Sequence, residues 1–182
     1  MKPWKRIEPT TVTNVGWRTL VTKTFVDNRG RTDTYGALWP DGTQHAAVIA
    51  VTRNKQIVIA RQFRIGPELI MDELPGGSID DGEATQAAAE RELLEETGYK
   101  AGKIEYLGAH HKDAYMNCVW HFYLATDCEQ VTTEQVLESS EIVEIDTISI
   151  PQLLENARHD KMTDAVAVYW AQDKLKKIQE NE

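Results

Sequence analysis

Glu92, Glu95 and Glu96 are spaced i, i+3, i+4, so on a helix their carboxylates share one face. Two earlier positions on that side, Ala88 and Ala89, are small, and Arg91 is the cation set among the acids. Three carboxylates packed together repel one another, and Glu95 and Glu96 fall near the negative end of the helix dipole. Such a cluster becomes favourable when it holds a hard cation, and Mg2+ prefers carboxylate oxygen while keeping several waters. An acidic run on a helix is more often a solvated face. The neighbourhood argues otherwise, because Leu74-Pro75-Gly76-Gly77 reads as a glycine-rich loop that lets a phosphate approach backbone N–H groups. A cation beside a phosphate cradle is the equipment of phosphoryl transfer or pyrophosphate hydrolysis.

The elements that must position these groups follow from the flanking patterns. The acidic helix is predicted over 83–97, with Gly98 where a left-handed C-terminal cap belongs. Ala46 to Val51 reads as a buried strand, and the turn at Asn54-Lys55 leads into a second, Gln56 to Arg64. Further strands are expected near 103–110, 118–125 and 141–148. Pro151 suits the first turn of a helix, and a last helix is expected over 163–178 with Val166, Tyr169, Trp170 and Leu175 on its apolar side. Upstream, Val21 to Val26 and Thr32 to Trp39 flank the turn signal Asp27-Asn28-Arg29-Gly30 and predict a β-hairpin. Mixed strands with helices fore and aft predict an α/β fold, an α/β/α sandwich with a mixed sheet. The expected organisation is an N-terminal β extension over 1–42 and a catalytic domain over 43–182.

Composition narrows the function classes. A chain of 182 residues, 41% apolar and 27% charged, can bury a core without staples. A formal charge of −9 excludes a broad nucleic-acid surface, which demands clustered Lys and Arg, yet leaves room for a small phosphorylated substrate met by local arginines or a bound cation. No apolar stretch approaches a membrane span, and Met1 to Arg6 lacks a signal-peptide pattern, so no membrane partner and a cytoplasmic location are expected. Cys118 and Cys128 form no metal or redox motif and read as reduced thiols.

Gly77, Glu83, Arg91, Glu92, Leu93, Glu95, Glu96 and Gly98 together resemble the signature of the Nudix hydrolases, residue for residue and spacing for spacing. Tyr99 stands where the family carries an aliphatic residue. The resemblance implies Mg2+ dependence, with Mn2+ as a substitute, and hydrolysis of a pyrophosphate bond. It makes Glu92, Glu95, Glu96 and the Gly76 carbonyl metal ligands, has Arg91 orient the carboxylates, and has Glu83 tie the loop to the helix. Arg61-Gln62-Phe63-Arg64, Glu73-Leu74-Pro75-Gly76-Gly77 and the long N-terminal extension are similar to the ADP-ribose pyrophosphatase and nucleoside diphosphate sugar branch. In that branch the extension helps form a homodimer and contributes to the nucleotide pocket. One of Arg61 and Arg64 is then expected to meet a phosphate, a strand end or bulge deciding which. Glu73 and Gly77 are expected at the substrate. Trp4, Trp17 and Trp39 are candidates to stack on a base, Trp17 foremost, with core or dimer packing as the alternative.

The general base in that branch often comes from a later loop, which points to Glu141 or Glu138, either of which also suits an additional metal ligand; Glu95 is the alternative base. Where the ADP-ribose enzymes commonly carry a proline, this chain has His111-Lys112-Asp113-Ala114-Tyr115-Met116, which keeps GDP-mannose and other nucleotide sugars open. Of His110 and His111, at most one can face a substrate, since neighbours on a strand point to opposite faces. Other readings are a nucleoside triphosphate or coenzyme A pyrophosphatase, and a non-catalytic nucleotide-sensing Nudix domain. The retained signature carboxylates argue against the last.

Overall fold

The computed structural model describes residues 2–16, 18–137 and 142–180, without the side chains of Glu8 and Pro9. Its chain divides into two compact units, residues 1–44 with 110–120, and residues 45–109 with 121–182.

The first unit is built on a three-stranded antiparallel sheet in the order β1 (Lys5–Val15), β2 (Arg18–Val26), β3 (Thr32–Leu38). The hairpin expected from the Asp27–Gly30 turn is β2 and β3. Its turn is set by the Asp27 side chain, which accepts from the N–H groups of Arg29 and Arg31 at 2.7 and 3.0 Å. The third strand, β1, was not legible: its register against β2 shifts between Ile7 and Thr11, where Pro9 cannot donate a ladder bond. The 110–120 segment joins the unit through Leu38, whose N–H donates to the Tyr115 carbonyl and whose carbonyl accepts from the Asn117 N–H. Lys23 and Arg6 converge on Asp41, and Lys23 also reaches Asn117 Oδ1 at 2.6 Å. These two cations hold the Asp41 carboxyl below the usual range, Lys23 contributing most.

The second unit holds most of an eight-stranded sheet, with the path β11 (Glu144–Ser149), β5 (Gln56–Arg64), β4 (Gln44–Thr52), β10 (Val119–Gln130), β8 (Tyr99–Lys100). Three further strands attach to it: β6 (Leu69–Glu73) on β5, β7 (Gly76–Ser78) on β4, and β9 (Lys103–His110) on β10. Strand β4 is buried on both faces from His45 to Val51, which explains its unbroken apolar run. Alternation divides those side chains between two layers. Ala46, Val48, Ala50, Val58 and Tyr123 pack with Ala88, Ala89 and Leu93 of helix α1 (Thr85–Thr97). The opposite parity carries Ile49, Ile57, Ile59 and Phe122, and Phe122 meets the edge of Trp170 in helix α3 (Ala165–Glu180) at 6.1 Å. Helix α2 (Ile150–Arg158) is capped by Ser149, which accepts from the Gln152 N–H, and has Pro151 in its first turn. Helices thus cover both faces, as the α/β/α expectation required. Each fully buried Ile or Leu in these layers contributes roughly 1.5–3 kcal/mol.

Candidate active site

The acidic helix begins at Thr85 rather than Glu83 and ends on Gly98, whose φ of 72° and N–H bond to the Leu94 carbonyl make the left-handed cap. Its face toward the site carries Glu92, Glu95 and Glu96, graded in exposure: the Glu92 side chain is 14% exposed, that of Glu95 35%, and Glu96 is buried. Arg91 organises them. Its Nη1 donates to Glu92 Oε1 at 2.8 Å and to Glu95 Oε2 at 3.0 Å. Its Nε and Nη2 grip both oxygens of Glu83 at 3.0 Å, and Nη2 also donates to the Ser78 carbonyl. Bidentate geometry of this kind is the strong form of an Arg–carboxylate pair. The guanidinium in turn pulls the Glu83 carboxyl below its usual pKa, while Glu83 above all raises that of Arg91.

Gly76 and Gly77, expected in a loop, form the short strand β7, antiparallel to β4 with Ala47 opposite Gly76 and Ala46 opposite Gly77. The Gly76 N–H donates to Glu96 Oε2 at 2.9 Å, so this backbone donor meets a carboxylate. Gly77 leaves the space into which the Glu92 carboxylate fits, since a Cβ there would lie 2.6 Å from Glu92 Oε1. The glycine pair therefore seats two of the three acids against the sheet.

Arg61 and Arg64 leave β5 on opposite faces. Arg61 pairs with Asp72 at 2.8 Å and Asp146 at 3.1 Å, tying β6 and β11 to β5. Asp72 is buried and also accepts from Asn156 Nδ2 at 2.7 Å. Arg64 grips both oxygens of buried Glu73 through Nε and Nη2. That pairing raises the Arg64 pKa most, with Asp164 and Glu96 near enough to add to it. Arg64 and Glu73 thus stand on the side of the acidic helix, and Arg61 does not. Asp72, Asn156 and Asp164 were missed by sequence reasoning. The one local signal was an acidic pair, Asp72-Glu73, ending the apolar run Leu69-Ile70-Met71.

Trp17, Glu138 and Glu141 lie outside the described residues. The chain flanking 138–141 is tied to the end of α1: the Val136 N–H donates to the Glu95 carbonyl, and Gln135 Nε2 donates to the carbonyls of Glu96 and Val143. In the first unit, Trp4, Lys23, Phe25, Tyr35, Tyr115 and Asn117 line a cavity of about 590 Å3. Trp39 is covered instead by the Arg18 guanidinium, 4.7 Å from its ring centre. His110 closes β9, and His111 follows it.

The donor set fits a divalent cation by its chemistry: Glu83, Glu92, Glu95 and Glu96 outnumber Arg91, and a cradle that a Cβ would fill holds Glu92 in place. Among the described residues no three His, Cys, Asp or Glu side chains converge on one point. The reason is local: the Arg91 guanidinium stands between Glu92 and Glu95, and Glu96 turns back to Gly76.

The NUDIX domain matches residues 43–167, and the chain belongs to the Nudix family of hydrolases. It is similar to an ADP-ribose pyrophosphatase of Bacillus subtilis (strain 168), 31% identical over 124 residues, 68% of this chain and 67% of that protein. It is also similar to a methanol dehydrogenase activator of Bacillus methanolicus, 28% identical over 67% of this chain and 66% of that one. An ADP-sugar pyrophosphatase of Mus musculus is 29% identical over 75% of this chain and 68% of its own. The chain thus spans about two thirds of the length of these relatives. A crystal structure of an ADP compounds hydrolase shares the fold, with a TM-score of 0.78 at 18% identity over 97% of this chain and 96% of that one.

Proposed function

We propose that this chain hydrolyses the pyrophosphate bond of nucleoside diphosphate sugars, ADP-ribose and other ADP-sugars foremost, with GDP-mannose as a further candidate. The products are a nucleoside monophosphate and a sugar phosphate. The observation that carries this reading is the Glu92–Glu95–Glu96 cluster, seated on β7 and held around Arg91. The names of the relatives, ADP-ribose and ADP-sugar pyrophosphatases, support the substrate class.

In this reading Glu92, Glu95, Glu96 and the Gly76 carbonyl hold Mg2+, or Mn2+ in its place. Such an ion neutralises charge on the pyrophosphate oxygens and lowers the pKa of the attacking water. Arg91 would release Glu92 and Glu95 to such an ion, while its grip on Glu83 keeps the helix registered on the turn before it. Arg64, oriented by Glu73, binds a phosphate oxygen as a planar fork. Glu141 or Glu138 takes the proton from water as its oxygen attacks one phosphorus, and the bridging P–O bond breaks toward the other phosphate. Glu95 is the alternative base, as the most exposed of the three helix acids. The same reading has the N-terminal extension join two copies into a homodimer, which light scattering would detect as twice the chain mass.

The test incubates the protein with Mg2+ and ADP-ribose, ADP-glucose, GDP-mannose, UDP-glucose, coenzyme A or nucleoside triphosphates, resolving products by phosphorus NMR. Nucleoside monophosphate from the sugar derivatives is expected, with Glu95→Gln and Glu96→Gln slower by about two to four orders of magnitude. Turnover of triphosphates or coenzyme A alone would replace the substrate reading. Full activity in both variants would remove the ligand assignment.

A further inference from the structure

Between Glu73 and Gly76 the backbone offers only two N–H donors, those of Leu74 and Gly76, because Pro75 has none. The Gly76 donor goes to Glu96. The Leu74 donor goes to Asp164 Oδ2 at 3.3 Å, a bond that joins β6 to the turn before α3 across 90 residues of sequence. Asp164 is 2% exposed, and the same oxygen accepts from Thr163 Oγ1 at 3.1 Å. The loop that carries it runs along β6: the Asp72 N–H donates to the Lys161 carbonyl, and Met162 bridges Asp72. On the other side the Pro75 carbonyl accepts from the Val48 N–H at 3.0 Å. The segment ahead of Gly76 is thus pinned from two elements, α3's entry turn and β4, and only the first of these pins is a side chain. Asp164 directly precedes α3 and lies near enough to Arg64 to raise its pKa, so this buried carboxylate gathers the entry turn of α3, Arg64 and the Leu74 amide beside Gly76.

We propose that Asp164 is a positioning residue for the metal site: through the Leu74 N–H it fixes where the Gly76 carbonyl points and where its N–H meets Glu96. The proposal rests on the reading of Gly76 and Glu96 as cation ligands. Asp164 touches neither substrate nor ion and acts through the backbone between Leu74 and Gly76. Outer groups of this kind set the aim of the ligands they support.

The test titrates Mn2+ alone into the full chain, with free Mn2+ followed by electron paramagnetic resonance, for the unaltered protein, Asp164→Ala, Asp164→Asn and Met162→Ala. Asp164→Ala should weaken Mn2+ binding by about 10–100-fold, and lower kcat in Mg2+ with KM for the nucleotide little changed. Asp164→Asn should stay within about threefold of the unaltered protein, because its amide oxygen accepts the same N–H. Met162→Ala opens a cavity in the same loop while sparing the carboxylate, so it should lower the melting temperature and leave Mn2+ affinity alone. If Asp164→Ala does not fold, Asp164→Ser, whose hydroxyl is too short to reach Leu74, is read in its place. Unchanged Mn2+ affinity without the carboxylate overturns the proposal. So does an equal loss in Met162→Ala, or an asparagine variant as weak as the alanine one. An unaltered protein that binds no Mn2+ removes the metal reading itself, a result distinct from an Asp164 variant that binds normally.

Discussion

A Cβ at Gly76 would overlap the Ala46 carbonyl oxygen and lie 2.6 Å from the Ala47 Cα, whereas one at Gly77 would press on the Glu92 carboxylate. The first obstacle is the backbone of the central strand, and the second is the far end of a side chain that can swing. Gly76→Ala is therefore expected to destabilise the fold by about 1–3 kcal/mol as β7 is forced off β4. Gly77→Ala should melt close to the unaltered protein but lose Mg2+-dependent turnover, because the displaced Glu92 is a ligand in the proposed reading. Calorimetry and a turnover assay on the two variants separate these outcomes. An equal fall in melting temperature for both would show that Gly77, too, serves only the strand pairing. The same pair shows what a sequence conceals. Both glycines were legible as neighbours of the acidic helix, but a phosphate cradle and a seat for carboxylates leave the same letters behind.

At the scale of elements, α1 is held at its C-terminal end by a loop from further along the chain. The Gly98 carbonyl accepts from the N–H groups of Val131 and Thr132, at 2.9 and 3.3 Å, and Val136 bonds to the Glu95 carbonyl. Gly98→Ala places a side chain at φ 72° and drives it into the Thr132 carbonyl. We expect about 1–2 kcal/mol lost from the left-handed conformation alone, with more from the overlap, seen as a lower urea midpoint. Amide exchange at Val131 and Val136 should quicken in that variant. Unchanged exchange there would mean that the loop does not depend on the cap. This end of the helix was readable from Gly98, and β4, β5 and α2 from their apolar run, turn and Pro151. Strand β1 was not, since Pro9 and the threonines Thr10, Thr11 and Thr13 weaken its alternation. Nor were the Asn156–Asp72 and Leu74–Asp164 bonds, whose partners lie 84 and 90 residues apart. Contacts at that separation leave no periodicity behind them.

For the molecule as a whole, acid stability is expected to depend on the first unit as well as on the catalytic one. Asp41 is held below its ordinary pKa by Lys23 and Arg6, so its contribution is present above the unfolded value of about 3.9 and is lost as pH falls through the lower folded value. Urea unfolding between about pH 2 and 6 should show Asp41→Asn less stable than the unaltered protein near neutrality, the gap closing in acid. A gap constant with pH would assign the Asp41 effect to packing. The chain carries a charge of −9, and among the described residues no helix is long and apolar enough to cross a membrane. An anionic substrate therefore meets a repulsive field, and local cations must answer it.

Arg91 stands between Glu92 and Glu95, and on the proposed reading its guanidinium is the counter-ion that a metal would displace. Chelation should then leave the protein folded, with only a small drop in melting temperature, because the acids fall back onto Arg91. Arg91→Ala removes that reserve, and its melting temperature should climb more steeply with added Mg2+ than that of the unaltered protein. Parallel slopes would mean that the acids are balanced by some other charge. On this account the arginine balances the charge of the very carboxylates that the proposed reaction calls on.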